Sequence, residues 1–336
     1  MYLAFRNISD LNEIILKRLS ILPKDIDLIV GVPRSGMLPA NLIALYMHRP
    51  YTDIDSFIEG RIYSSGERGA FINEYNTKKV LVVDDSISSG KALIKAKEKL
   101  KKVKDKYNIV YACVYATSEG AKMVDYYFEI IDGPRVFQWN LFNYKNYINH
   151  ACFDIDGVLC ENPPIDDDGP QYLDYIQHAI PKYIPSIEID TLVSCRLEKY
   201  REATEKWLSE NHVKYKKLIM LNMNSKEERQ KWGKHGVYKG EIYRDGDYQL
   251  FVESSLQEAK DIYKTSHKPV FCTETMEMIS EKSIAESLHQ TARTKIGNTM
   301  FYKGAKKIVN YLNLHRPKIF VIIVTYFGGY FEGLLT

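Results

Sequence analysis

Two adjacent carboxylates, Asp84 and Asp85, end the apolar run at residues 80–83 and are followed by a turn rich in serine and glycine. When a helix begins directly after such a turn, backbone N–H groups and hydroxyls converge on a phosphate. The residues that would form this cradle are Ser86, Ser88, Ser89 and Gly90. Because the two carboxylates would repel a phosphate, we expect sugar hydroxyls and a magnesium ion between them. The pattern predicts a ribose 5-phosphate site.

The run VLVVDDSISSGKAL at residues 80–93 resembles the 5-phosphoribosyl 1-pyrophosphate (PRPP) binding motif of the type I phosphoribosyltransferases. A second segment, GVPRSGMLPA at residues 31–40, is similar to the pyrophosphate loop of that family. The resemblance implies that three residues of this loop bind PRPP, namely Arg34, Ser35 and Gly36. An arginine there supplies a planar, permanently charged fork for pyrophosphate oxygens. Alone, the acidic pair is typical of a capped strand end, but both loops in this order favour a PRPP site.

The family keeps a flexible catalytic loop between these two elements, and residues 60–71 fall in that place. The resemblance implies that Arg61 and Arg68 close over the leaving pyrophosphate. Since transfer from PRPP places positive charge on the ribose ring, the protein must hold the ribose, clamp the pyrophosphate with Mg²⁺ and arginine, and exclude water. Enzymes of this type are often dimers, so the resemblance also implies a homodimer.

The acceptor of the phosphoribosyl group is expected in a variable hood, which here comprises residues 1–26 and 132–148. In this hood, Trp139 is either a ring on which the acceptor stacks or an aromatic side chain of the core. No residue of the hood specifies a nucleobase. The sequence therefore leaves the acceptor open between a nucleobase and a glycan hydroxyl.

A second acidic pair, Asp154 and Asp156, lies at the end of the strand run ACFDI, residues 151–155, before a turn that begins with glycine. Carboxylates at positions i and i+2 of a strand point the same way. One can attack phosphorus while its neighbour protonates the leaving oxygen and then deprotonates water, with Mg²⁺ screening the charges. A calcium or structural loop is the alternative interpretation.

The string ACFDIDGVL, residues 151–159, resembles motif I of the haloacid dehalogenase phosphatase superfamily. The resemblance implies that Asp154 is the nucleophile and Asp156 the acid and base. It also implies a phosphate-binding serine and a phosphate-stabilising lysine further along the chain. These are Ser194, closely followed by Arg196, and Lys239, with Lys234 as the second choice.

Glu253, Ser254 and Ser255 occupy the place where that superfamily commonly has two aspartates. This departure leaves one acidic metal ligand there instead of two. The predicted magnesium ligands are Asp154, Asp156 through its carbonyl, and Glu253, completed by waters. Residues 157–193 leave no room for a large cap domain, so we expect an open site that suits a phosphate on a large molecule.

The elements that must position these residues alternate between short β-branched runs and helical periods, which is typical of parallel α/β architecture. Two series of runs predict two Rossmann-like domains with mostly parallel sheets. The predicted strands are 27–32, 80–83, 109–115 and 134–138, then 151–155, 189–194, 216–221, 249–252 and 270–272. The predicted domains are phosphoribosyltransferase-like at 1–147, phosphatase-like with a minimal cap at 148–302, and a tail at 303–336, with the first boundary in the polar stretch 140–149.

The tail is predicted to hold a helical linker at residues 303–314 and a strand at residues 317–326. That strand resembles the first strand of family-2-type nucleotide-sugar glycosyltransferases, without the expected continuation. A truncated glycosyltransferase start is therefore one interpretation. A last edge strand of the phosphatase-like domain is the other.

Composition excludes several classes of function. The 336 residues carry 46 Lys and Arg against 43 Asp and Glu, a net charge of +3, whereas a nucleic-acid binder usually shows a larger basic excess. The longest apolar run, residues 319–331, is too short to span a bilayer, and the N-terminus lacks the pattern of a secretion signal. The five cysteines form no C-x-x-C pair, which argues against a zinc site or a disulfide framework. We expect a cytoplasmic protein without a nucleic-acid partner.

Taken together, the two resemblances predict a two-step assembly. PRPP donates its phosphoribosyl group to an acceptor hydroxyl, and the second domain removes the 5-phosphate of the phosphorylated ribosyl product. Such pairs resemble enzymes that build ribofuranose-containing surface polysaccharides. A second hypothesis is an orotate- or purine-type phosphoribosyltransferase with a fused nucleotidase, and a third is a PRPP-binding regulator with an inactive phosphatase domain.

Overall fold

The computed structural model describes residues 3–63, 78–163 and 168–279. Residues 1–280 form one compact unit. Arg68 of the expected flexible loop, the helical linker predicted at 303–314 and the strand predicted at 317–326 lie outside the described residues. Among the described residues, no helix combines the length and apolarity needed to cross a bilayer.

The first half of the unit contains a five-stranded parallel sheet and a separate two-stranded ribbon. Its strands are β1 Ala4–Arg6, β2 Leu28–Gly31, β3 Tyr51–Asp53, β4 Lys79–Ile87, β5 Asn108–Ala116, β6 Tyr126–Ile130 and β7 Arg135–Phe137. The sheet order is β3-β2-β4-β5-β6, with all four pairings parallel. β1 pairs with β7 to form the ribbon.

Helices cover both faces of this sheet. They are α1 Ile8–Arg18, α2 Met37–Met47, α3 Ile54–Ile58, α4 Lys91–Leu100 and α5 Ser118–Ala121. Ile15 of α1 and Ala40 of α2 pack on one face, and Phe57 of α3 and Ala96 of α4 pack on the other. Burial on both faces explains why β4 is continuously apolar before Asp84.

The second half contains a six-stranded sheet in the order β10-β9-β8-β11-β12-β13. Its strands are β8 Ala151–Phe153, β9 Ile189–Leu197, β10 Tyr215–Leu221, β11 Leu250–Glu253, β12 Val270–Cys272 and β13 Glu277–Ile279. The pairings are parallel except that of β12 with β13, which is antiparallel. The associated helices are α6 Lys145–Ile148, α7 Gly169–His178, α8 Arg201–Glu210, α9 Lys226–Trp232, α10 His235–Asp245 and α11 Leu256–Ser266.

The β1–β7 ribbon belongs to two cores at once. Ala4 and Phe137 pack with the first sheet, whereas Leu3 and Val136 pack with the second. Alternation along a strand sends neighbouring side chains to opposite faces, so this ribbon lies between the two sheets and touches both. Phe5 of β1 contacts Phe271 of β12, with ring centroids 5.4 Å apart.

The predicted α/β fold with mostly parallel sheets is confirmed. Strands β1, β3, β6 and β13 were not predicted from the sequence. β1, β3 and β13 have three residues each, which is too few for a periodic pattern. β6 is an edge strand whose exposure varies along its length. The stretch 140–149 forms a 3-10 helix over Leu141–Asn143 followed by α6. Leu141 and Ile148 in that stretch are fully buried. The division into domains at residue 147 stays a prediction.

Candidate functional site

The acidic pair of the first sheet lies at the carboxyl end of its central strand. β4 delivers Asp84 and Asp85, which are both buried. The neighbouring strand β2 leads into the loop before α2, and Ser35 of that loop donates a hydrogen bond from Oγ to Oδ1 of Asp85 at 2.9 Å. Parallel strands bring their carboxyl ends to one edge of the sheet, so the two PRPP-binding segments predicted from the sequence meet there.

Gly36 is required by the close approach of this loop to β4. A Cβ atom at Gly36 would lie 2.6 Å from the carbonyl oxygen of Val32, 2.8 Å from that of Val83 and 2.9 Å from Oδ1 of Asp84. Two of these neighbours are backbone atoms and do not yield easily. The glycine therefore allows the loop to lie directly against the acidic pair.

The hydrogen-bond donors to the two carboxylates and the pKa of Asp84 indicate what this pair can bind. In the described part of the chain their hydrogen-bond donors are neutral: the hydroxyl of Ser35, the amide of Asp85 and the indole of Trp139. Burial, and then the charge of Asp85, raise the pKa of Asp84 to about 8. A buried pair whose described hydrogen-bond donors are all neutral suits sugar hydroxyls and a cation. These residues therefore fit the magnesium ion that the sequence predicts at this site.

The predicted phosphate cradle lies between β4 and α4. Gly90 has a φ of +69° at the N-cap of α4, and no side chain caps the first turn of that ten-residue helix. Its N–H groups are therefore available to an anion. Ser88 and Ser89 are exposed, and Ser86 lies 3.4 Å from Nη2 of Arg135.

The predicted arginines differ in where the structure places them. Arg34 donates from Nη2 to Oδ1 of Asn140 at 3.1 Å and stays next to the acidic pair through its neighbour Ser35. Arg61 is exposed and forms an ion pair with Glu59. Its described contacts do not include Asp84 or Asp85.

Trp139 makes two kinds of contact that sequence reasoning left open. Its Nε1 donates to Oδ2 of Asp85 at 2.7 Å, and its ring stacks on Phe137 with centroids 4.9 Å apart and an angle of 8°. The aromatic residue thus packs against its neighbour and also holds the acidic pair. In the sequence, the contact of Trp139 with Phe137 is indicated only by the aromatic-x-aromatic pattern at the end of β7.

The second acidic pair lies at the carboxyl edge of the second sheet. Asp154 follows β8, Ser194 lies in β9, and Glu253 ends β11. Lys239 reaches the same place from α10 and is buried, whereas Lys234 is exposed. The structure thus gathers Asp154, Ser194, Lys239 and Glu253, as the second resemblance implied.

Three carboxylates surround the ammonium of Lys239. Its Nζ lies 2.9 Å from Oδ2 of Asp154, 2.7 Å from Oε2 of Glu253 and 2.7 Å from Oε2 of Glu258. Burial raises the pKa of Asp154 well above its usual value, with the neighbouring acids adding to this. Burial opposes the charge of Lys239, but the three carboxylates outweigh it and raise its pKa. Glu258 was not predicted from the sequence, because it lies in the first turn of α11 and belongs to neither motif.

Asp156 is held by Arg196 rather than facing Lys239. Nε and Nη2 of Arg196 donate to Oδ1 of Asp156 at 3.2 and 2.6 Å, and Nε also donates to Oδ2 at 3.0 Å. The hydroxyl of Tyr175 on α7 donates to Oδ1 at 3.0 Å. Burial would raise the pKa of Asp156, but Arg196 outweighs it and the pKa is lowered.

The predicted magnesium ligands of this second site are already occupied by protein donors. Lys239 and the amide of Ile155 donate to Asp154, and the amides of Ser254 and Ser255 donate to Oε1 of Glu253. Ser254 Oγ donates to the carbonyl of Asp156 at 3.0 Å. No group of three or more His, Cys, Asp or Glu side chains in the described ranges is arranged to hold a metal ion. The assignment of Asp154, Asp156 and Glu253 as magnesium ligands stays a prediction.

The first half of the unit is a parallel α/β fold with a buried acidic pair at the carboxyl edge of its sheet and an uncapped helix start beside it. Residues 3–145 match the family model of the phosphoribosyl transferase domain. This match lies in the first part of the chain and covers less than half of its length. No curated protein matches the chain.

Several solved structures resemble parts of the chain. The xanthine-guanine-hypoxanthine phosphoribosyltransferase of Helicobacter pylori is 16% identical and covers 42% of this chain and 93% of its own, with a TM-score of 0.31. The purine phosphoribosyltransferase of Pyrococcus horikoshii is 23% identical over 41% of this chain and 94% of its own, with a TM-score of 0.31. The orotate phosphoribosyltransferase of Aeropyrum pernix is 20% identical over 34% and 60%, with a TM-score of 0.25.

Proposed function

We propose that residues 3–145 bind PRPP and transfer its 5-phosphoribosyl group to an acceptor. The observation that carries this proposal is the buried pair Asp84 and Asp85, whose donors in the described ranges are neutral and which lies beside the loop of Ser35. The pair is assigned to the ribose hydroxyls and the first turn of α4 to the 5-phosphate. Arg34 is assigned to the pyrophosphate.

In this reaction the bond between C1 of the ribose and the pyrophosphate oxygen breaks, and its electron pair leaves with the pyrophosphate. The acceptor atom forms the new bond to C1 and passes its proton to solvent or a base. A bound Mg²⁺ supplies neutralisation of the pyrophosphate charge. The residues of the chain hold the ribose at Asp84 and Asp85 and, through the closely packed loop at Gly36, keep water from the reacting carbon.

For the acceptor, we propose a hydroxyl of a glycan in surface-polysaccharide synthesis. The support is the joining of the phosphoribosyl transferase domain to a second sheet whose edge gathers Asp154, Ser194 and Lys239. A nucleotide keeps its 5-phosphate, whereas a plain ribofuranose requires its removal. In the proposed second step, Asp154 attacks the phosphorus, the ester bond breaks, and the leaving sugar oxygen takes a proton from Asp156. Water, deprotonated by Asp156, then attacks the phosphorus of the aspartyl phosphate, which releases inorganic phosphate and restores the Asp154 carboxylate.

Two observations each favour a different candidate. Trp139 is partly exposed beside Asp85 and stacked on Phe137, which favours a planar nucleobase of the orotate or purine type as acceptor. The pairing of Asp156 with Arg196 favours a PRPP-binding regulator without phosphatase activity, because an ionised and paired carboxylate has no proton to donate. The proposed location is the cytoplasm, consistent with the free cysteines, and the proposed assembly is a homodimer.

The deciding experiment incubates the full chain with PRPP and Mg²⁺ and follows pyrophosphate release with oligosaccharide acceptors and, separately, with nucleobases. Release with oligosaccharides supports the glycan acceptor. Release only with a base overturns it in favour of the nucleobase enzyme. Binding of PRPP without release in any arm favours the regulator, and absence of PRPP binding refutes the proposed function altogether.

A further inference from the structure

One short segment, residues 139–143, touches both halves of the compact unit. It begins where β7 ends and includes the 3-10 helix Leu141–Asn143. Backbone bonds fix its shape, since the amide of Asn140 donates to the carbonyl of Phe137 at 2.9 Å and that of Asn143 to the carbonyl of Asn140 at 3.0 Å. We call residues 139–143 the bridging segment.

The first two residues of the bridging segment hold the proposed PRPP site. Trp139 donates from Nε1 to Oδ2 of Asp85 at 2.7 Å, and Asp85 accepts from Ser35 through its other oxygen. Asn140 accepts from Nη2 of Arg34 at 3.1 Å. Neighbouring residues of one segment thus bond to the acidic pair and to the pyrophosphate loop.

The last three residues of the bridging segment are anchored in the second sheet. The ring of Phe142 stacks on Tyr183 with centroids 5.0 Å apart and an angle of 7°, and lies 6.1 Å from Phe271 and 6.3 Å from Phe153. Leu141 is fully buried in the same core. Oδ1 of Asn143 accepts from Oγ of Ser186 at 2.7 Å and from its amide at 3.3 Å.

Because only two or three residues separate these two sets of contacts, they cannot move independently. A shift of Phe142 in the core of the second sheet is transmitted along a hydrogen-bonded 3-10 turn to the indole of Trp139. Side chains that hold a binding site need support from fixed neighbours, since a displacement of about 1 Å weakens their contacts strongly.

We propose that the second sheet positions the PRPP site through the bridging segment, with Trp139 and Asn140 as positioning residues and Phe142 as their anchor. This role is separate from any hydrolytic activity of the second sheet. It rests on the proposed function only in naming PRPP as the ligand.

The test compares two phenylalanines in the full chain. Phe142 belongs to the bridging segment and packs, partly buried, on the core of the second sheet, whereas Phe251 of β11 is fully buried and packs against Tyr243. Titration calorimetry with PRPP and Mg²⁺, below both melting transitions, is expected to show affinity about fivefold weaker for Phe142→Ala. Phe251→Ala is expected to keep the wild-type affinity. Trp139→Phe, which keeps the ring but loses the donor, is expected to weaken binding about tenfold.

A spectroscopic readout separates positioning from general loss of stability. The chain has three tryptophans, so labelling with 5-fluorotryptophan gives three ¹⁹F resonances, and Trp139→Phe identifies that of Trp139. Phe142→Ala is expected to shift this resonance and Phe251→Ala to leave it in place. Ser186→Ala, an exposed change that removes one anchor of Asn143, is expected to shift it less and in the same direction.

An unmoved Trp139 resonance together with unchanged PRPP affinity in Phe142→Ala overturns the proposal, as does an equal effect of Phe251→Ala on both readouts. If Phe142→Ala does not fold, Ser186→Ala decides by the same two readouts. Failure of the wild-type chain to bind PRPP refutes the proposed function, while the shift of the Trp139 resonance still tests the coupling.

Discussion

Arg196 binds both carboxylate oxygens of Asp156 and leaves Asp154, two residues earlier, to Lys239. This arrangement shifts the pKa values of two neighbouring carboxyl groups in opposite directions. The pKa of Asp156 is lowered because Arg196 outweighs its burial, and that of Asp154 is raised because burial outweighs Lys239. General acid catalysis by Asp156 would require the reverse order, so hydrolysis with Asp156 as the acid would require this ion pair to break.

The first prediction concerns the stability conferred by this ion pair. Arg196 is fully buried and the side chain of Asp156 is 18% exposed, so Arg196→Met leaves a charge with little access to water. We expect the free energy of unfolding in urea to fall by about 3–5 kcal/mol. The double variant Arg196→Met with Asp156→Asn removes both charges and is expected to recover more than half of that loss.

The matched control is Arg244→Met, since Arg244 pairs with Asp245 at the exposed surface. No measurable change is expected there. A loss in Arg196→Met no larger than that of the control would contradict the buried pairing.

The second prediction separates the two proposed reactions. Asp154→Asn removes the proposed nucleophile and is expected to abolish phosphate release from an aryl phosphate while leaving pyrophosphate release from PRPP intact. The change is isosteric and keeps an oxygen facing Lys239, so the fold is expected to survive. Phosphate and pyrophosphate released from the same samples are measured in parallel, and equal loss of both activities would show that the two sites are not independent.

The third prediction tests the ribose assignment. Replacing both Asp84 and Asp85 by Asn removes the charges that are proposed to bind ribose hydroxyls and a cation. We expect affinity for PRPP with Mg²⁺ to fall about 100-fold, the value for two lost charge-assisted hydrogen bonds, without any change in aryl phosphate hydrolysis. As a control, Asp55→Asn alters an exposed carboxylate that pairs with Lys99 and is expected to bind PRPP normally. A wild-type affinity in the double variant would refute the assignment.

The fourth prediction is a pH dependence of the free protein without Mg²⁺ or PRPP. The pKa of Asp84 is raised from 3.8 to about 8, so between these values the folded chain keeps a proton that the unfolded chain has lost. Stability from this group is therefore complete below about pH 4, falls as the pH rises, and levels off above about 8. Relative to Asp84→Asn, the melting temperature of the wild type is expected to fall over that interval. Parallel curves for the two proteins would exclude the raised pKa.

Local sequence was sufficient for the strands that carry the sites. β4 and β8 each contain an apolar run that is followed by an acidic residue, and strand formation depends on the sterics and alternation of neighbouring residues. The loop predicted to bind pyrophosphate was also found from local sequence. Its Gly36 lies where any side chain would clash with neighbouring atoms.

The sequence did not show which charged side chains form ion pairs with one another. Arg196 lies 40 residues from Asp156, and Lys239 lies 85 residues from Asp154. Ion pairing depends on distance and burial in the folded chain, and neither follows from spacing along the chain. Lys239 and Ser254 were named from the motif, but their hydrogen bonds to Glu253 and to the carbonyl of Asp156 were not predicted.

The sequence by itself determined an α/β chain with acidic residues after two apolar runs, because backbone preferences act over a few residues; the phosphate cradle stays a prediction. Only the tertiary structure decided that Arg196 and Lys239 divide the second acidic pair and that Trp139 reaches Asp85. It also revealed that a stretch expected to be a polar boundary packs against the second sheet, with Leu141 fully buried and Phe142 partly buried. Such contacts are made when separate elements pack, and their free energy is gained only when the whole unit has folded.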